Sequence, residues 1–260
     1  MKVLLTNDDG FDAEGMQRFY DELSKRHDCF IVAPDQGRSC CGHAVTTGSE
    51  LEVVQQHDRA WTVTGTPADC VRMGLLWLQL RPDLVVSGVN QGGNLGLDIV
   101  YSGTVAAARE ACSLGFPAVA MSQYMRRDVP RDWSATGRRA VFVLEKLLER
   151  SDFAPGFWNV NLPVLLPEQH ELSFPITECQ PEKQPLAFDF QLHPQQEEAE
   201  GLSAKDDMPA RDTIARGRTS RVIYKSNYQM RPRQNGSDVD LCFEGHATCS
   251  RLRIGDFLVM

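Results

Sequence analysis

Asp8 and Asp9 stand side by side in "LLTNDDG", directly after an apolar run. Burying two unpaired carboxylates at a strand end costs several kcal/mol or forces protonation, so a positive partner is expected there. The Asp-Gly pair also reads as an ordinary turn or a helix cap. Two further polar, glycine-rich stretches follow: "APDQGRSCCGH" and "GVNQGGNLGLDIVYSGT". Two carboxylates, a serine hydroxyl and an asparagine carbonyl form an all-oxygen donor set. Such a set suits a hard dication, Mg²⁺ or Mn²⁺, that also meets phosphate. Gly88, Gly92, Gly93 and Gly96 let backbone amides approach an anion, and Ser102 and Thr104 add hydroxyls where "YSGT" opens an Ala-rich helix. The free N–H groups and dipole of that helix end attract phosphate. A dication site and an anion cradle together point to phosphate-ester chemistry.

The elements that position these residues alternate through the first 160 residues. Apolar runs predict strands over Lys2–Thr6, Cys29–Ala33, Leu84–Ser87, Ala118–Ser122 and Trp158–Asn161. Helical patterns fall over Glu14–Arg26, Ala68–Gln79, Thr104–Leu114 and Ser134–Arg150. The alternation implies an α/β fold: a three-layer α/β/α, Rossmann-like, mostly parallel sheet. In such a sheet ligands bind beyond the carboxyl ends of the strands, where all three polar loops fall. "GTPADC" carries a cap at Thr66, a proline suited to the first turn and Asp69 in a capping-box variant. Leu51–Gln55 and Trp61–Thr64 read as a β-hairpin insertion. The expected domains are a catalytic core over residues 1–163 and a C-terminal region over 164–260. The latter is an extended β-rich appendage or oligomerisation arm packing back on the core. Short β-like runs lie there at Glu171–Thr177 and Leu186–Leu192. An acidic stretch, "QQEEAEGLSAKDD", precedes a basic one, Arg211–Arg233, that reads as a solvated arm, or as a surface that attracts anionic substrate or pairs with an acidic partner subunit.

A net charge of −8 argues against binding a nucleic-acid polymer. No apolar run reaches membrane-spanning length and no signal peptide precedes Asp8, which predicts a cytoplasmic protein. The eight cysteines form no C-x-x-C pair, so free thiols are expected and a zinc cluster is not. No dinucleotide fingerprint follows the first strand, which argues against a redox dehydrogenase.

"LLTNDDG", "APDQGRS", "VTGTPADCV", "VSGVNQGGNLG" and "VYSGTVAAAREA" occur in order over residues 1–122, and "WNVNLP" extends them. Together they resemble the SurE survival-protein family of metal-dependent nucleotidases. The resemblance implies that Asp8, Asp9, Ser39 and Asn90 hold one divalent cation per subunit. It further implies that Asn94, Ser102, Gly103 and Thr104 contact the phosphate of a nucleoside monophosphate, which is hydrolysed to nucleoside and phosphate. In relatives the C-terminal part exchanges between subunits, which implies a homodimer or homotetramer. The chain departs from the family at Cys40–Cys41, where glycine plus a small residue is common, and at His246, where an aromatic residue is usual.

Asp8 or Asp9 would orient or deprotonate the attacking water, Asp8 being the favoured base, with an aspartyl-phosphate as the alternative. His43, four residues after Ser39 in the same loop, is a candidate contact for substrate or leaving group. Other readings are a phosphomonoesterase for other small phosphates or short polyphosphate, and a nucleotide-binding module without catalysis.

Overall fold

The computed structural model describes residues 1–154, 156–164, 166, 172–186, 189–192, 221–225 and 228–257. His170, His193, the acidic stretch and most of the basic run lie outside these residues.

The first strand, β1 (Lys2–Thr6), falls where its apolar run predicts. Val3 and Leu5 enter one hydrophobic cluster and Leu4 the other, so β1 is buried on both faces. It pairs in parallel with β2 (Asp28–Pro34) on one side and β5 (Leu84–Gln91) on the other. Beyond β5 come β6 (Ala118–Gln123) and β7 (Phe157–Leu162), each parallel to the strand before it. The hairpin β3 (Val53–His57) and β4 (Ala60–Val63) extends this sheet, because β4 pairs in parallel with β2. At the opposite edge β11 (Ala247–Leu252) runs antiparallel to β7 and carries β8 (Ile176–Glu178). The nine-stranded order is β3-β4-β2-β1-β5-β6-β7-β11-β8.

Helices α1 (Glu14–Leu23) and α5 (Trp133–Leu148) bury Met16, Phe19, Leu23, Ala140, Val143 and Leu144 against one face. Helices α2 (Pro67–Arg72) and α4 (Gly103–Ser113) cover the other with Cys70, Val71, Val105, Ala107, Ala108 and Ala111. The alanines of α4 let its backbone lie close to the sheet, which brings its first turn to the strand ends. A four-residue helix, α3 (Asp98–Tyr101), leads into α4.

Two elements differ from expectation. The helix begun at Pro67 stops at Arg72 and continues as a π-helical turn, Met73–Trp77, ending where Gln79 adopts φ +53°. Gly74 lies at that change, has poor helix propensity, and would bring a Cβ to 2.9 Å from Leu4 Cδ2. Strand β5 runs past Ser87 to Gln91, crossing an irregularity at Gly88 and Val89. A Cβ on Gly88 would fall 2.1 Å from the Met121 carbonyl oxygen, so no other residue fits there.

The described chain forms two compact units, Met1–Lys183 with Arg233–Met260, and Gln184–Pro232. The first unit therefore includes α6 (Asp238–Phe243) and β11. The second contains an antiparallel pair, β9 (Asp189–Leu192) with β10 (Val222–Lys225), with the Phe190 and Tyr224 ring centroids 5.6 Å apart. All eight cysteines are free thiols. Among the described residues no helix is long and apolar enough to cross a membrane.

Candidate active site

Strand β1 delivers Asn7, Asp8 and Asp9 to the carboxyl edge of the sheet, and three other segments meet them there. From α4, the Thr104 hydroxyl donates to Asp8 Oδ1 at 2.6 Å. The Thr104 backbone N–H also bonds Asp8. From the loop after β2, the Arg38 N–H donates to the Asp8 carbonyl at 2.7 Å, placing Ser39 next to that contact. From the end of β5, the Gln91 N–H donates to Asp9 Oδ2 at 2.8 Å, one residue beyond Asn90.

The two acids sit in a costly environment. Asp8 is 6% exposed, and burial pushes its carboxyl from the ordinary 3.8 to about 6. The Thr104 hydroxyl works against that rise and the neighbouring Asp9 charge adds to it. Burial also raises Asp9, with the Gln91 amide opposing. Among the described residues neither acid is ion-paired with a Lys, Arg or His.

These features fit a divalent cation. The donors are all oxygens: Asn90 donates its amide Nδ2–H to the Gly92 carbonyl at 2.7 Å, which turns its Oδ1 into the available donor. Ser39 is solvent-exposed in its loop. Asn7 Oδ1 is buried with no hydrogen-bond partner, a further orphaned acceptor at the same edge. Among the described residues no cluster of three or more His, Cys, Asp or Glu forms, because only two of the four expected donors are acids.

Three of the four expected phosphate contacts, Ser102, Gly103 and Thr104, stand at the start of α4. Ser102 caps that helix, its Oγ accepting from the Val105 N–H at 3.0 Å, which leaves the hydroxyl proton free to donate. Thr104, expected at the phosphate, directs both its hydroxyl and its backbone N–H to Asp8 here. At Gly103 a Cβ would fall 2.9 Å from Asp8 Cβ, 3.1 Å from Asp8 Oδ2 and 2.8 Å from Cys41 Sγ. Glycine thus lets the helix backbone come directly against the acid.

Asn94, in the glycine-rich loop, is held by residues of β6 and β7. Its Nδ2 donates to Ser122 Oγ at 2.8 Å and its backbone N–H to Asn161 Oδ1 at 2.7 Å. Its carbonyl accepts from Asn159 Nδ2 at 2.8 Å and Asn161 Nδ2 at 3.1 Å. Ser122, Asn159 and Asn161 are supporting residues that sequence reasoning missed. Their signal lies in "WNVNLP", where two buried asparagines at alternate positions share one face of β7.

His43 is engaged elsewhere. Its Nε2 donates to Glu110 Oε2 at 2.8 Å, and Arg72 Nε donates to Oε1 of the same carboxylate at 2.6 Å.

Comparison with known proteins bears on the family and the fold. The family profile described as "Survival protein SurE" matches residues 3–184. A protein of Synechocystis sp. is 37% identical over 254 residues, spanning 98% of this chain and 100% of that protein. The 5'-nucleotidase SurE of Syntrophus aciditrophicus is 39% identical over 203 residues, 75% of this chain and 74% of the relative. The crystal structure of the SurE protein from Aquifex aeolicus matches with a TM-score of 0.78 at 27% identity, covering 100% of this chain and 97% of that one. The match runs through "WNVNLP" well past the first 122 residues, and on these findings the chain belongs to the SurE survival-protein family.

Proposed function

We propose that this chain is a 5'-nucleotidase that hydrolyses nucleoside monophosphates to nucleoside and phosphate, with a divalent cation held by Asp8, Asp9, Ser39 and Asn90. The observation that carries this reading is the buried Asp8 carboxylate, with Asp9 beside it, pressed against the α4 N-terminus. Its support is the name carried by the Syntrophus relative and by a Pelobacter propionicus protein 43% identical over 164 residues. Hard oxygen donors favour Mg²⁺ or Mn²⁺. When bound, such a cation supplies charge neutralisation and polarisation of a phosphoryl oxygen.

The chain's own residues do the rest. Ser102 donates its hydroxyl, and Gly103 its backbone N–H, to the phosphate at the positive end of α4. The Asn94 side chain and backbone, fixed by Ser122, Asn159 and Asn161, hold the glycine-rich loop against the same group. Thr104 fixes Asp8 through Oδ1, which leaves Oδ2, the oxygen facing Gly103, to take the proton of the attacking water. Asp9 is steered by the Gln91 amide and acts beside it.

The test is phosphate release from a panel of nucleoside 5' and 3' monophosphates, p-nitrophenyl phosphate and short polyphosphate, with Mg²⁺ or Mn²⁺ and with EDTA. Release from 5' monophosphates, abolished by EDTA and restored by Mn²⁺, supports the reading. Release that persists in EDTA, or none with any divalent ion, overturns it.

A further inference from the structure

The loop between β2 and β3 carries Ser39, and it is held on both sides of that residue. Ahead of Ser39 is the Arg38 N–H bond to the Asp8 carbonyl. Behind it, the Gly42 N–H donates to the Tyr101 carbonyl at 3.0 Å. Thr66 Oγ1 donates to the Ala44 carbonyl at 2.7 Å, and the Thr46 N–H and hydroxyl both donate to the buried Asp69 carboxylate. Ser39, Cys40 and Cys41 are thus suspended between fixed ends.

The first side-chain clasp after this suspended stretch is His43 on Glu110. Glu110 is 5% exposed and lies on α4, six residues beyond Thr104, about 9 Å along the helix. One buried carboxylate therefore joins three elements: α4, α2 through Arg72, and the loop through His43. Glu110 needs both donors, because an unpaired buried carboxylate is costly. The His43 side chain is 28% exposed and belongs to neither hydrophobic cluster. What its hydrogen bond does is tie the Ser39 loop to the helix whose first turn grips Asp8.

We propose that His43 is a positioning residue for cation binding: held by Glu110, it sets the Ser39 loop in register with the acids of β1. This rests on reading Asp8, Asp9, Ser39 and Asn90 as the cation site. Supports behind metal ligands commonly change affinity about tenfold or more when removed.

The experiment measures Mn²⁺ affinity of the full chain without substrate, by electron paramagnetic resonance of free Mn²⁺, in the unmodified protein, His43→Ala and His43→Gln. A glutamine amide can replace the Nε2 donor. The expected result is about tenfold weaker Mn²⁺ binding in His43→Ala, recovery to within about threefold in His43→Gln, and a KM for nucleotide at saturating Mn²⁺ close to the unmodified value. Unchanged Mn²⁺ affinity in His43→Ala overturns the proposal, as does a His43→Gln variant as weak as His43→Ala. A raised KM with unaltered Mn²⁺ affinity overturns it in favour of an imidazole that touches substrate. If the unmodified protein binds no Mn²⁺, the cation-site reading and this inference both fall.

Discussion

Substituting Asp8 by asparagine should make the metal-free protein more stable at neutral pH, and the gain should grow with pH. Asp8 ionises at about 6 in the folded chain against 3.8 ordinarily, because burial disfavours its charge. The unfolded chain releases this proton first, so between the two values the folded state binds more protons and loses stability as pH rises. At about 1.4 kcal/mol per pH unit the interval is worth about 3 kcal/mol, and about 2 kcal/mol of it falls between about pH 4.5 and pH 7.5. Asp9, also raised, contributes with the same sign. Asp69 contributes with the opposite sign: despite its burial, backbone and hydroxyl donors from Thr66 and Thr46 hold its carboxyl below 3.8. The difference between variant and unmodified protein cancels Asp69 and isolates Asp8. In the Asp8→Asn variant the amide oxygen can still accept from the Thr104 hydroxyl, so the packing is preserved. Urea unfolding in EDTA at the two pH values gives the numbers. The advantage of Asp8→Asn should increase by about 2 kcal/mol across that range and vanish when Mn²⁺ is added to both proteins. A pH-independent difference, or one that shrinks as pH rises, would refute the burial argument.

Two further substitutions probe the support of the site. Asn161→Leu removes a donor and an acceptor from the Asn94 backbone, so kcat/KM for a nucleoside monophosphate should fall about a hundredfold with Mn²⁺ affinity retained, as steady-state kinetics beside Mn²⁺ titration would show. Gly103→Ala places a methyl group 2.8 Å from Cys41 Sγ and 2.9 Å from Asp8 Cβ, so urea unfolding should record a loss of about 1–3 kcal/mol and phosphate release should fall steeply; full activity would show that the helix need not approach so closely.

Much of this architecture is legible in the residues, for local reasons. Val3, Leu4 and Leu5 in succession announce a strand buried on both faces, and β1 begins and ends where that run predicts. Thr66, Pro67 and Asp69 announce a capped helix start, and the capping box forms. Their spacing carries no sign that Asp69 also fastens Thr46, since that bond crosses 23 positions. The helix beyond Arg72 departs from its pattern because periodicity cannot register the contact between Gly74 and Leu4. Asn90 lies on β5 rather than in a loop, because Gly88, which reads as punctuation, instead lets two strands approach. Ser122, Asn159 and Asn161 escape notice because their partner, Asn94, lies 28 to 67 positions away. Long-range polar pairing leaves only a faint trace in sequence: a polar residue where an apolar one would pack.

On the proposed sites, the start of α4 makes cation and phosphate binding inseparable. A helix N-terminus favours negative charge, and Thr104 directs both donors to Asp8. A phosphate at Ser102 and Gly103 must therefore approach a carboxylate already using part of the same positive field, with Asp9 beside it. Two negative groups sharing one helix end repel each other unless a cation lies between them. Linkage then requires that whatever the cation contributes to anion affinity, the anion returns to cation affinity. The buried acids are unfavourable for the fold on its own, and on the proposed sites that same arrangement makes each ligand's binding depend on the other.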